Sequence, residues 1–342
     1  MNRKPDWLYA IHRVELARHD LRLRRRIPSA TGGNLPVQPR LFCRITRTDG
    51  VVGFGEAAPH PIYGPSLDAI ESLVRTACDS RDASPALPDL VAMALLDANA
   101  RGLQIPAWQQ IGIAAPPAAY RTVITFGGDD PDAVCRDIAL AQPPAIKLKL
   151  LGGPRDLDVV RAISGAFPLP LAVDVNGAWP VEDAAHQLAV LEMLRPDLLW
   201  VEQPCPPAQL HHRLPTALPI FADEAVDHTG IDLSIYDGVL LKPARVGITR
   251  CAQLAQRLHD SGQDVTFGCH LQSSLMSAAT LSLCGLATSA WVDLDTVLLI
   301  DGDPFEPPTA DPHSGRICTP QGAGFGCSPC VALSWQPLFQ RA

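Results

Sequence analysis

The chain has 342 residues, 47% hydrophobic and 19% charged, with 28 Lys+Arg against 36 Asp+Glu and a net charge of −8. That balance excludes a disordered chain, and with no basic stripe to offset the negative charge it argues against a nucleic-acid partner. No apolar run approaches the ~18 residues of a membrane span, and the length suffices for two domains, or for one barrel with an accessory domain.

The opening residues Met1-Asn2-Arg3-Lys4-Pro5-Asp6 lead into no apolar stretch, so no export signal is expected. The ten cysteines are scattered, mostly within apolar runs, and only Cys327 and Cys330 lie close together. They read as free thiols, which places the protein in the cytoplasm.

In chain order, the alternation of Leu41-Phe42-Cys43-Arg44-Ile45-Thr46-Arg47 predicts a strand. Asp49-Gly50 predicts a hairpin turn, and Val51-Val52-Gly53-Phe54-Gly55-Glu56 the return strand. Apolar spacing of three and four predicts helices over 67–80 and 89–101. Arg24-Arg25-Arg26 reads as a solvated charge run, His211-His212 as an exposed pair on a Pro-bounded helix, and Gly322-Ala323-Gly324-Phe325-Gly326 as a loop. From about residue 122 the texture changes. Short apolar runs at 122–126, 145–149, 171–174, 198–202, 219–223, 238–242, 265–269 and 291–295 each end in polar residues. Their spacing leaves room for a helix and two loops between strands, which predicts repeated βα units and a parallel sheet. Eight units suggest a modified (β/α)8, TIM-type barrel of the α/β class. A doubly wound open sheet is the alternative, but no Gly-rich turn follows the first strand.

In such a barrel the chemistry sits at the C-terminal ends of the strands. The charged endings are ordered: Lys147 and Lys149, then Asp174, Glu202, Asp223, then Lys242. Any one of these could be a strand-end salt bridge, but six in this order on five consecutive strands form a site. Three converging carboxylates repel unless a cation holds them, and all-oxygen ligation suits Mg²⁺. Period-two alternation points Lys147 and Lys149 to the same side. A lysine crowded by another cation is expected to have a depressed pKa and to serve as a general base. A cation on a substrate carboxylate acidifies the α-proton and stabilises the enediolate, so the set suits proton abstraction beside a carboxylate.

These residues resemble the enolase superfamily, and within it the muconate-lactonizing-like subgroup. Ile146-Lys147-Leu148-Lys149 is similar to that subgroup's KxK, and Asp174-Val175-Asn176, Val201-Glu202-Gln203-Pro204 and Ala222-Asp223-Glu224 are similar to its metal strands. Leu241-Lys242-Pro243-Ala244-Arg245-Val246-Gly247 is similar to its opposite lysine strand. Asp49-Gly50-Val51-Val52-Gly53-Phe54-Gly55-Glu56 resembles the hairpin of its capping domain, and Met93-Ala94-Leu95-Leu96-Asp97-Ala98 with Ile105-Pro106-Ala107-Trp108 that domain's last helix. The resemblance implies an α+β capping domain over 1–118, completed by about 305–342, and a barrel over 119–304. It implies Lys149 and Lys242 as acid/base catalysts on opposite faces, Lys147 as a carboxylate-binding residue that tunes Lys149, and Asp174, Glu202 and Asp223 as Mg²⁺ ligands.

Val292-Asp293-Leu294-Asp295 resembles the DxD motif of the dipeptide epimerases. A dipeptide carries a free ammonium at a distance from the reacting carbon, and paired carboxylates are its natural counter-charge. Asp293 and Asp295 are therefore expected to bind substrate, the alternative being a cap on the following helix. The expected function is Mg²⁺-dependent epimerisation of a small-molecule dipeptide at its C-terminal residue. Rivals on the same scaffold are an N-acylamino acid racemase, an o-succinylbenzoate synthase or a cycloisomerase, and, from another class, a non-catalytic binding barrel. Gln272 stands where relatives carry Glu, and the Asp223–Lys242 segment is short. The segment Pro28-Ser29-Ala30-Thr31-Gly32-Gly33-Asn34 resembles a mobile capping loop, with glycines where Glu-specific epimerases place an arginine. His60 reads as a plain residue of a second capping loop. Barrels of this kind often form homo-oligomers, but no exposed apolar stripe marks an interface.

Overall fold

Residues 10–25, 27–28, 36–59, 64–79, 87–228 and 230–341 are described in a computed structural model of the chain. β1 (Ile11–Leu23), a strand that the sequence reading passed over, pairs antiparallel with β2 (Val37–Arg47). The expected hairpin joins β2 to β3 (Val52–Ala57), with Gly50 at φ 85° in its turn, a conformation that favours glycine. Helices α1 (Leu67–Asp79) and α2 (Asp89–Leu103) form where apolar spacing predicted them. α2 lies directly on the hairpin: a Cβ on Gly53 would meet Ala94 O at 2.3 Å, and one on Gly55 would meet Leu90 O at 2.1 Å. Those two glycines are what let helix and strand touch. Leu41, Cys43 and Ile45 from β2 share a buried core with Val74, Val91 and Ala94. The last strand of the chain, Gln336–Gln340, pairs with β1, and Phe305 packs its ring 5.4 Å from Phe42 and 5.5 Å from Phe54.

The second region begins with β4 (Ala119–Thr122) and β5 (Ile124–Gly127). It continues through β6 (Ile146–Lys149), β7 (Leu171–Asp174), β8 (Val201–Glu202), β9 (Ile220–Ala222), β10 (Gly238–Leu241), β11 (Asp264–Phe267) and β12 (Trp291–Val292). Every expected strand is present, the first split into β4 and β5. β5 to β11 form one parallel sheet whose spatial order is the order along the chain. β12 pairs in parallel with β4, and Asp293 just beyond it bridges Gly268 just beyond β11. Helices α3 (Pro131–Ala141), α4 (Asp156–Ala166), α5 (Val181–Leu194), α6 (Ile248–Asp260) and α7 (Ser274–Leu283) cover the sheet.

Two connections depart from the expected βα repeat. Between β8 and β9 the chain makes one 3-10 turn, Pro207–Gln209, so His211 and His212 lie exposed on an irregular loop and not on a helix. Pro204, Pro206, Pro207, Pro215 and Pro219 remove the N–H donors a helix there would need. Between β9 and β10 the described residues form only 3-10 turns, Glu224–Asp227 and Leu233–Ile235, which is the shortened segment anticipated from the sequence.

Val123, Ala145, Ala172, Trp200, Phe221 and Leu240 form an apolar cluster inside the curled sheet, with the Trp200 and Phe221 rings stacked at 5.8 Å. This plug keeps water from beneath and leaves the strand ends to polar groups. The hairpin docks beside those ends. Buried Arg40 donates from Nη2 to His270 O (3.1 Å) and to Leu271 O, while buried Glu56 accepts from Ser273 N (3.0 Å) and pairs with Arg40 at 3.4 Å. All ten cysteines are free thiols, as expected, and 322–326 is a loop. Among the described residues no helix is long and apolar enough to cross a membrane.

Candidate active site

Lys147 and Lys149 leave β6 on the same side, and the Nζ of each contacts Asp174 Oδ2, at 3.0 and 2.7 Å. Lys147 also reaches Glu202 Oε2 at 2.6 Å and Asp293 Oδ2 at 2.7 Å. From the other end of the row, Lys242 contacts Glu202 Oε1 at 3.1 Å and Asp223 Oδ2 at 2.5 Å. The three carboxylates stand on adjacent strand ends, Asp174 directly beside Glu202 in the ladder, with one catalytic candidate lysine at either end. All three are fully or almost fully buried.

Burial works against every charge here, and the partners decide each outcome. Asp174 is raised by burial, but Lys147 and Lys149 outweigh it and hold its carboxyl below the usual range. Asp223 is likewise held low by Arg245 and Lys242. Glu202 is pushed up to about 8, by burial first and the Asp174 charge second. Neither Lys147 nor Lys242 is a depressed lysine. Burial pulls Lys147 and Lys242 down, but the carboxylates around them raise both above the ordinary lysine value. The effect of Lys147 on Lys242 is present but outweighed by Asp223 and Glu202.

Three members of this cluster carried no role in the sequence reading. Asn176, at φ 50°, accepts from Lys149 Nζ at 3.1 Å and donates to Glu224 Oε1 at 3.2 Å. Arg245 reaches Asp223 Oδ1 at 3.0 Å and Asp227 Oδ2 at 2.7 Å. Glu224 is pushed up to about 7 by burial and the Asp223 charge. All three lie within three residues of a recognised strand-end charge, and that proximity was the available signal.

The row fits a hard divalent cation. Its donors are all carboxylate oxygens, and Glu202 Oε2, Asp223 Oδ1 and Glu224 Oε2 are buried without a hydrogen-bond partner. The first two face ion-pair cations instead, Lys147 and Arg245.

Asp293 and Asp295 follow β12 and line, with Lys147, Lys149, Asp223 and Lys242, one cavity of about 110 Å³. Both are buried, and Asp293 is tied to Lys147. Asp295 accepts from Thr125 N at 2.8 Å and its carboxyl is pushed up to about 6, by burial and then by the Asp293 charge. It begins a short helix, Thr296–Leu299, but makes no side-chain cap bond there, so the capping alternative fails. All eight site residues expected from the sequence thus converge on one place.

Residues 132–332, well over half of the chain, match the family described as enolase C-terminal domain-like. The chain belongs to that family. The L-Ala-D/L-amino acid epimerase of Pedosphaera parvula is 30% identical over 78% of this chain and 84% of its own length. The hydrophobic dipeptide epimerase of Roseobacter litoralis is 28% identical over 88% of this chain and 95% of its own. Among solved structures, a dipeptide epimerase from Cytophaga hutchinsonii, complexed with Mg and D-Ala-L-Val, superposes with a TM-score of 0.83 at 22% identity, covering 96% of this chain and 100% of that one. The enolase-superfamily resemblance read from the motifs is borne out.

Two further positions in this enolase-family chain bear on the site. Gln272 is buried and donates from its amide to Ser277 (3.4 Å) and Thr280 (3.3 Å). The reading of Arg24-Arg25-Arg26 as a solvated run needs correction at Arg25. Its guanidinium is partly buried, lies 4.7 Å over the Phe126 ring and donates to the carbonyl of Thr125, a residue of the cavity wall. Arg24 is exposed and pairs with Asp301. Arg26, most of the 28–34 loop and His60 lie outside the described residues.

Proposed function

We propose that this protein is a Mg²⁺-dependent dipeptide epimerase, an isomerase that inverts the α-carbon of the substrate's C-terminal residue. The carrying observation is the pair of lysines at opposite ends of the carboxylate row, Lys149 against Asp174 and Lys242 against Asp223, in a cavity shared with Asp293 and Asp295. The substrates of the related epimerases support the same reading.

Asp174, Glu202 and Asp223 would hold Mg²⁺, which when bound supplies Lewis-acid charge that acidifies the proton next to a carboxylate. Lys147, enclosed by Asp174, Glu202 and Asp293, stays charged and attracts the substrate carboxylate. For one configuration Lys149 takes the α-proton and Lys242 delivers one to the opposite face; for the other configuration the roles reverse. Asp293 and Asp295 receive the N-terminal ammonium, a cation that cycloisomerase and acylated substrates lack.

The reading extends to architecture and place. The bridges of β12 to β4 and of Asp293 to Gly268 support closure of the curled sheet into a modified (β/α)8 barrel over 119–304. The pairing of Gln336–Gln340 with β1 supports a capping domain of 1–118 completed by 305–342. Ten free thiols support a cytoplasmic setting.

The test is α-deuterium exchange in D2O, read by mass spectrometry, over pooled L,L-dipeptides and N-acylamino acids with and without Mg²⁺. Exchange in the C-terminal residue of dipeptides that requires the metal is the expected result. Exchange confined to acylated amino acids makes the protein a racemase, and absence of exchange in either class refutes the proposal.

A further inference from the structure

Thr296 follows Asp295 directly, lines the same cavity and is fully buried. Its Oγ1 accepts no hydrogen bond. The group beside it is the Cys269 thiol, a weak acceptor whose ionisation is suppressed by burial. A buried hydroxyl left in that state forfeits a hydrogen bond it could make to water. Thr296 lines the cavity together with Cys269, Asp293 and Asp295, and a polar atom of each of those three lies within 4.8 Å of the other two.

Two carboxylates this close together suit a cationic guest with several N–H donors. A primary ammonium has three N–H donors in tetrahedral directions. With hydrogen bonds of about 2.8 Å its acceptors stand roughly 4.6 Å apart. Asp293 and Asp295 supply two acceptors and opposite charge. A third neutral acceptor is still required, and the Thr296 hydroxyl can donate its own proton to Cys269 while accepting from the guest.

We propose that Thr296 Oγ1 is the third acceptor for the substrate's N-terminal ammonium and a specificity-determining residue that selects a primary amine over an acylated or absent one. The proposal rests on the dipeptide reading above. A guest without three N–H groups leaves the acceptor lone pairs of Thr296 unused, and the cost of that unmet acceptor discriminates against it.

The experiment compares the L-Ala-L-amino acid that exchanges fastest with its N-propionyl counterpart, in which hydrogen replaces the ammonium. The ratio of their kcat/KM values is measured for the unaltered protein, Thr296→Val and Thr296→Ser. The expected result is a fall in that ratio on the order of tenfold in Thr296→Val, carried by KM for the dipeptide, with recovery in Thr296→Ser. An unchanged ratio, or equal losses on both substrates, overturns the inference while leaving the dipeptide reading intact. Failure of the unaltered protein to act on any dipeptide overturns both. Should Thr296→Val fold poorly, the ratio in Thr296→Ala against Thr296→Ser gives the same discrimination.

Discussion

Two acidic clusters share the strand-end rim, and they are built in opposite ways. The row of Asp174, Glu202 and Asp223 is met by Lys147, Lys149, Lys242 and Arg245, and its two aspartates are held ionised below their usual range. In the pair on β12, Asp293 has Lys147, but Asp295 is pushed up to about 6 and is bonded to a backbone amide. The two aspartates of the row are a permanent seat of charge, and Glu202 between them, pushed up to about 8, is the member that takes a proton. The pair is under-compensated and suited to a cation that arrives and leaves with each turnover.

The largest expected effect breaks the row at its ends. Lys149→Ala and Lys242→Ala should each lower epimerisation by about 10²- to 10⁴-fold, while deuterium wash-in from one configuration survives in each, since one base remains. Undiminished turnover in either variant refutes the two-base scheme. Next in size is a stability effect. Asp223→Asn removes the carboxylate that buried Lys242 and Arg245 share, leaving them Glu202 and Asp227 respectively, and should cost about 3 kcal/mol in urea denaturation of the metal-free protein.

The matching change in the pair should have the opposite sign. Asp295→Asn should weaken action on dipeptides by about 10- to 100-fold and spare acylated analogues. It should also stabilise the metal-free protein by on the order of 1 kcal/mol, because a carboxyl raised to about 6 costs folding stability wherever it is ionised. A loss of stability there comparable to that in Asp223→Asn would erase the distinction between the clusters. The smallest effect is on pH. As pH falls through about 6 Asp295 gains its proton, so kcat/KM for a dipeptide, relative to its propionyl analogue, should drop about tenfold between pH 7 and pH 5. A flat ratio would mean that Asp295 keeps its charge and that the pair is as firmly compensated as the row.

Much of the site was legible because it is written locally. Period-two alternation places Lys147 and Lys149 on one side whatever surrounds them, and the βα repeat brings successive strand ends to one rim. β1 escaped notice because charges interrupt its alternation, as in Arg13, Glu15, Arg18 and Asp20, and its faces are settled by β2 and by the final strand. Arg25 was taken for a solvated residue because nothing in its own neighbourhood announces Phe126, which packs against it from a hundred residues away.

By itself, then, the sequence determined the order of charges along the rim, the strand ends that bear them, and the chemistry those residue types can support. These follow from short-range periodicity and the intrinsic properties of side chains. Only the tertiary structure decided which charges are stable. The raised lysines, the proton-prone Glu202 and Asp295, and the Thr296 hydroxyl that accepts no hydrogen bond depend on burial and on partners from other strands. Electrostatic energy in a low-dielectric interior is set by distances that no local stretch of sequence encodes.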